Sequence, residues 1–211
     1  GVYLPLAHVA PPADLLDGGG ENRVQNLPSL EDPAMRPLVA LLEDPGVSKT
    51  GQNLKYDLLV LRRAGVELRG VDFDTMVASY VLDPGRRSHG LDALSTDLLG
   101  YTPVSYSEVT GKGKNQRSFA EVELERATEY AAEDADLSLR LRERFLPELA
   151  EHGLERLFRE LEMPLVPVLA KMEWEGIRID PDFFREMSHR LASELETLQS
   201  EIWKEAGVEF N

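Results

Sequence analysis

Val47-Ser48-Lys49-Thr50-Gly51-Gln52-Asn53-Leu54-Lys55-Tyr56-Asp57-Leu58-Leu59-Val60-Leu61-Arg62-Arg63-Ala64-Gly65 changes its periodicity within one short stretch. Val47–Gly51 reads as a strand. From about Asn53, Leu54, Leu58 and Leu61 recur along one stripe of a helix that stops near Gly65. A strand running directly into an amphipathic helix is the repeating unit of an α/β domain. The flanking sequence repeats the alternation. Upstream, Val2–Leu6 reads as a short strand, Pro11–Asn26 as a loop rich in Pro, Gly and Asp, and Met35, Leu38, Leu41 and Leu42 as a helix that Asp44-Pro45-Gly46 ends. Downstream, Asp74 is placed to cap a helix through Leu82. Asp83-Pro84-Gly85 breaks the chain and Leu91–Leu99 forms another helix. Tyr101–Ser118 reads as a loop with a basic cluster at Lys112, Lys114 and Arg117. A long helical region then covers Phe119 to about Ala150, with Pro147 as its one weak point.

After His152 the strand signals vanish. Leu154, Leu157, Phe158 and Leu161 begin a helix that Pro164 and Pro167 must kink or restart, and Gly176–Pro181 reads as a turn with a brief extended segment. Met187, Leu191, Leu195, Leu198 and Ile202 form an amphipathic stripe that ends before Gly207. The expected domain boundary lies near residue 150. The last stripe has no obvious partner within the chain, which suggests a piece of a larger protein.

The bulk properties narrow the chemistry. The chain has 211 residues, 42% hydrophobic, enough for one full domain and an appendage. No apolar run approaches the ~20 residues needed to span a bilayer, and the first residues lack a secretory pattern. With no cysteine, thiolate metal sites and disulfides are excluded, and with four scattered histidines (His8, His89, His152 and His189) any metal falls to carboxylates. The net charge of −15 excludes a protein that coats nucleic acid through a basic surface. An enzyme that grips one strand end in a local groove through bound cations remains compatible.

Two carboxylates sit where carboxylates are expensive. Tyr130, Asp134, Leu137 and Leu141 share one helical face, which puts Asp134 in an inward stripe. Asp57 lies beside the stripe of Leu54, Leu58 and Leu61. A buried carboxylate needs a cation or a metal. For one such residue a solvated place at the edge of the stripe, or an arginine partner, is the commoner explanation; two, with a tyrosine one turn from one of them, tilt the reading toward a site. Asp74 reads as a helix cap rather than a ligand, and Glu133 as a solvated neighbour of Asp134. Gly111–Lys114 lacks the pattern of a phosphate-binding loop and reads as a mobile loop.

Gly51-Gln52-Asn53-Leu54-Lys55-Tyr56-Asp57 resembles the second exonuclease motif of family A DNA polymerases, and Tyr130-Ala131-Ala132-Glu133-Asp134 resembles their third. Phe73-Asp74-Thr75-Met76 and Gly111-Lys112-Gly113-Lys114-Asn115-Gln116 match between them, in order. Glu162–Leu169, followed by Gly176-Ile177-Arg178-Ile179-Asp180, resembles the beginning of the polymerase domain. The resemblance implies a ribonuclease H-like α/β exonuclease domain with an incomplete sheet over residues 1–150. Residues 151–211 would be the all-α start of a polymerase domain, including its thumb helix. It implies hydrolysis of the 3′-terminal phosphodiester with two divalent ions, magnesium or manganese or zinc. Asp134 and Asp57 would be the metal ligands, and Tyr130 would orient the attacking water. Asn53, Tyr56 and Tyr106 would touch the single-stranded 3′ end of a DNA primer, where stacking tolerates any base; ordinary packing is the competing account of the two tyrosines. The family further implies a monomer in the bacterial cytoplasm, associated with the nucleoid, and no membrane partner.

Two departures stand out. The family's first motif, an Asp-x-Glu on a strand, has no counterpart ahead of Val2, so these residues alone are expected to be weakly active or inactive. The family also places an arginine before the histidine in the segment matching Ser88-His89; here that place is serine, with Arg86 and Arg87 just upstream. The alternative reading is an exonuclease-like scaffold without activity. An RNA-trimming enzyme is disfavoured by the polymerase-like residues after 150.

Overall fold

A computed structural model describes residues 1–9 and 24–210. Most of the expected loop Pro11–Asn26 lies outside them. Among the described residues two parallel strands form the sheet, β1 (Lys49–Gly51) and β2 (Val71–Asp74), with Thr50 opposite Phe73 and Gly51 opposite Asp74. Helix α1 (Arg36–Glu43) leads into β1, and α2 (Leu54–Arg63) makes the crossover to β2. The chain turns into β2 at Gly70, whose φ is +70° and where a Cβ would sit 2.4 Å from the Val47 carbonyl oxygen, so no other residue fits without displacement. The expected strand at Val2–Leu6 is not formed. That segment is irregular, held by the Leu27 amide donating to the Pro5 carbonyl (2.7 Å) and by a buried His8. A strand exists only through its ladder, and these residues have no neighbouring strand to pair with among those described.

After β2 come α3 (Thr75–Leu82), α4 (Leu91–Leu94) running into a wider turn over Ser95–Leu99, and α5 (Tyr106–Thr110). Helix α5 corrects the expectation of a continuous loop over Tyr101–Ser118. The helix is nucleated by a reciprocal box in which Ser105 and Glu108 satisfy each other's backbone amides. The long helix α6 (Leu124–Glu151) passes through Pro147 without a break. Its inward residues Leu137, Leu141, Phe145 and Leu149 are buried, and the last three join Phe73, Leu94, Phe158 and Met163 in the main core. The Phe73 and Phe158 rings lie 4.8 Å apart, and each buried ring contributes about 1.5–3 kcal/mol. A smaller cluster of Val109, Val122 and Ala127 packs with Tyr3, Val104, Phe119 and Tyr130 near the start of α6.

Past Gly153 the chain runs through α7 (Glu155–Leu157), a widened turn at Phe158–Glu162, and α8 (Met163–Glu175). The widened turn sits just before Pro164, where an ordinary helix would lose a hydrogen bond and clash. Phe158, Met163, Val166 and Ala170 are buried. The described chain therefore divides into compact units at Gly1–Trp174 and Glu175–Asn211, later than the composition break near residue 150. The second unit carries α9 (Pro181–Ala206), started by Asp180 accepting from the amides of Asp182 and Phe183 and ended at Gly207. Leu191, Leu195, Leu198 and Ile202 are exposed along it. No described helix is long and apolar enough to cross a membrane.

Candidate functional site

The site's scaffold is the junction where β1 and β2 each hand over to a helix. Asp74, 1% exposed, serves both helices at once. Its Oδ1 accepts from the amides of Asn53 (3.0 Å) and Met76 (2.9 Å), and its Oδ2 from that of Leu54 (2.7 Å). The capping role expected for α3 thus extends to α2, whose own N-cap Asn53 gives no side-chain cap. Asn53 is also the sole described non-glycine residue with positive φ, at 58°. Asparagine tolerates that left-handed conformation better than most residues. Burial raises the Asp74 carboxyl above its ordinary range, against the pull of these amides. Asp72, by contrast, faces Arg142 (3.7 Å) and Arg159 (3.6 Å) and ties β2 to α6 and the Phe158–Glu162 turn.

Held this way, α2 presents Asp57 and Tyr56 outward. Leu54 is buried and Leu58 and Leu61 half-buried, whereas Asp57 is exposed. It lies roughly 60° around the helix from Leu54, at the edge of the apolar stripe rather than within it. Solvent reaches one side of Asp57, yet the surrounding protein desolvates it enough to raise its pKa to about 6, with the Asp74 charge adding to the shift. Asn53 is half-buried and Tyr56 is 65% exposed.

On α6, Asp134 is half-buried, between the small aromatic cluster and the main core. Its pKa is raised to about 6, first by burial and then by the charges of Asp92 and Glu133, while the neighbouring Tyr130 hydroxyl opposes the rise. Tyr130 is driven upward by burial and by Asp134 in turn. Its ring contacts Phe119 (centroids 5.6 Å apart) and Tyr106 (6.2 Å), so Tyr106, Tyr130 and Asp134 form one connected group. Asp92, exposed at the start of α4, was not singled out from the sequence; only its effect on Asp134 marks it.

Glu133 corrects the expectation of a solvated side chain. One carboxylate oxygen accepts from the Tyr101 hydroxyl (2.5 Å) and the other from the Val104 amide (2.9 Å). His89 is buried, stacked on Tyr80 at 3.5 Å, with Nδ1 2.8 Å from the Ser79 hydroxyl. Burial and the nearby Arg86 lower its pKa. Of the two arginines upstream, Arg86 pairs with Asp97 at 2.9 Å, whereas Arg87 is exposed and makes no ion pair among the described residues.

The donor chemistry of Asp57 and Asp134 suits a hard divalent cation, and two desolvated carboxylates with no ion pair among the described residues are what such a cation would relieve. Among the described residues, however, no group of three acidic or histidine side chains is arranged to hold a metal ion. The acid whose charge acts on Asp57 is Asp74, whereas Asp134 feels Asp92 and Glu133.

A family model described as 3′-5′ exonuclease matches residues 19–150. Curated relatives include DNA polymerase I of Rhizobium leguminosarum, 47% identical over 99% of this chain and 20% of that protein. DNA polymerase I of Pseudomonas aeruginosa is 41% identical over 85% of the chain and 20% of its own length. The chain thus spans about a fifth of these relatives. Among solved structures, the POL domain of Pol1 from M. smegmatis, in complex with DNA primer-template and dNTP, aligns with TM-score 0.65 and 25% identity, covering 85% of this chain and 28% of that one. Brucella melitensis NrnC with bound Mg2+ aligns with TM-score 0.53 and 24% identity over 66% of this chain and 64% of that one, a likeness of fold.

Proposed function

This chain belongs to the 3′-5′ exonuclease family of the family A DNA polymerases, and from that premise we propose that it removes nucleotides from the single-stranded 3′ end of DNA within a DNA-directed DNA polymerase. The supporting observation is the Tyr106–Tyr130–Asp134 group, in which an aromatic platform for a terminal base adjoins a desolvated carboxylate. The finer fold assignment, a ribonuclease H-like sheet, belongs to this reading, as does the start of a polymerase domain after residue 150.

In this reading Asp134 and Asp57 hold divalent ions, magnesium or manganese before zinc. Bound there, such ions would activate water and stabilise the departing 3′ oxygen. The chain's own residues set the geometry. Asn53, Tyr56 and Tyr106 hold the strand end through amide and stacking contacts. The Tyr130 hydroxyl, one helical turn from Asp134, orients the attacking water. Its raised pKa keeps it a neutral donor through the whole physiological range. Arg87 supplies the phosphate contact left open at Ser88.

The test is incubation of the natural polypeptide carrying this sequence with 5′-labelled single-stranded DNA and Mg²⁺ or Mn²⁺. Stepwise shortening from the 3′ end, stopped by EDTA, supports the proposal. No shortening under either ion favours the second reading, a scaffold without activity.

A further inference from the structure

Residues 133 and 134 of α6 face two different tasks. Asp134 lies one turn from Tyr130, whose hydroxyl acts on its carboxyl, while Glu133 fastens the segment that precedes α5. Its two oxygens are engaged separately, one by Tyr101 and one by the Val104 amide. Val104 is half-buried against the small aromatic cluster, and Tyr106 follows two residues later, 45% exposed. The hold on Tyr101 is reinforced from the same helix by the Arg140 guanidinium, 5.8 Å from its ring centre. Beyond Tyr106, the Ser105–Glu108 box and the buried Thr110 fix α5 itself. Glu133 is therefore a polar link between α6 and the segment that leads to Tyr106, alongside the Arg126 guanidinium, which donates to the Glu108 carbonyl of α5.

We propose that Glu133 is a positioning residue for the strand end, clamping Tyr101 and Val104 so that Tyr106 is held at stacking distance beside Tyr130 and Asp134. The inference rests on the functional reading above and assigns to it the device that aligns strand binding with the carboxylate. Carboxylate charge is not needed for the clamp. A glutamine accepts from the Val104 amide through its oxygen and donates through its nitrogen to the Tyr101 hydroxyl, which can turn to accept. Alanine offers neither contact, and the segment loses its register.

The experiment is fluorescence anisotropy of a labelled oligo-dT with a free 3′ hydroxyl, in EDTA, with the natural polypeptide and its E133A, E133Q and Y101F variants. Steady-state hydrolysis in Mn²⁺ follows. Two lost hydrogen bonds predict that E133A weakens binding by roughly fivefold to thirtyfold. KM should rise to match while kcat stays within about twofold. E133Q should restore affinity to within about twofold. Y101F, which keeps the ring and removes one donor, should fall between them, and it decides the matter if E133A fails to fold. Equal binding by unaltered protein, E133A and Y101F overturns the clamp. So does a fall in kcat without a change in KM. Tight binding by the unaltered protein with no hydrolysis supports the scaffold reading and leaves the clamp to be judged on affinity alone. Absence of binding by the unaltered protein overturns both readings.

Discussion

The Oδ2 of Asp74 lies 2.7 Å from the backbone nitrogen of Leu54, so a residue at the end of β2 caps the helix that follows β1 as well as its own. Two successive strand-to-helix turns are thereby locked to one carboxylate, and the face carrying Asn53, Tyr56 and Asp57 is set by it. Asp74→Ala orphans at least three backbone amides in a dry site and should cost about 2–4 kcal/mol. Asp74→Asn keeps one accepting oxygen and should cost about half as much. Urea unfolding at constant m-value checks both. A loss under about 0.5 kcal/mol for the alanine variant would show that water replaces the cap.

The raised carboxyls give a pH dependence of definite sign. Asp57 and Asp134 are shifted from 3.8 to about 6, so the unfolded chain ionises first as pH rises. Without metal, their contribution is most favourable below pH 4 and is lost as pH rises through about 6. Asp134→Asn should therefore stabilise the metal-free chain at pH 8 by on the order of 1–2 kcal/mol after solvent screening, and by almost nothing at pH 4. Chemical denaturation at the two pH values in EDTA reads the difference directly. Equal effects at both would mean the carboxylate is not desolvated.

Arg87 and Arg86 should separate by salt. Arg87→Ala removes an exposed cation that makes no ion pair among the described residues, so it should weaken single-stranded DNA binding and flatten the log–log salt dependence by about 0.7. Arg86→Ala breaks the pair with Asp97 instead and should leave that slope alone. A titration at several salt concentrations decides, and matching slopes for the two variants would remove Arg87 from the binding surface.

Tyr130→Phe keeps the ring contacts with Phe119 and Tyr106 and deletes only the hydroxyl on Asp134. Hydrolysis should fall roughly tenfold to a hundredfold in kcat with KM little changed. The Asp134 carboxyl should titrate higher still, because the hydroxyl that opposed its shift is gone. Carboxyl NMR follows the second effect; an unchanged Asp134 titration would mean that the hydroxyl does not reach it.

What could be read in the sequence was whatever is decided within a few residues. The turn residues around α1, the Asp74 cap and the alternation through Gly65 all act locally, and the helices and β1–β2 follow them. Helix α5 was legible too, since Ser105 and Glu108 carry the spacing of a capping box, but glycines and lysines around it masked the signal. Val2–Leu6 failed for a different reason, because strand pattern describes one chain and a ladder needs two. For Asp57 the sequence left an edge position and an inward one open, because the two differ by only part of a helical turn. Glu133 was not legible at all. Its partners, Tyr101 and Val104, lie about thirty residues away, and nothing in the local pattern tells a clamped glutamate from a solvated one.

The central claim is that Asp57 and Asp134 act on the same divalent ions. Hydrolysis of single-stranded DNA in Mn²⁺ by the unaltered polypeptide, Asp57→Ala, Asp134→Ala and the double variant tests it most directly. Each single change should lower the rate by about 10³ or more, and the double change should cost little beyond either one. Losses that multiply in the double variant, or a rate that survives Asp134→Ala unchanged, would contradict the account.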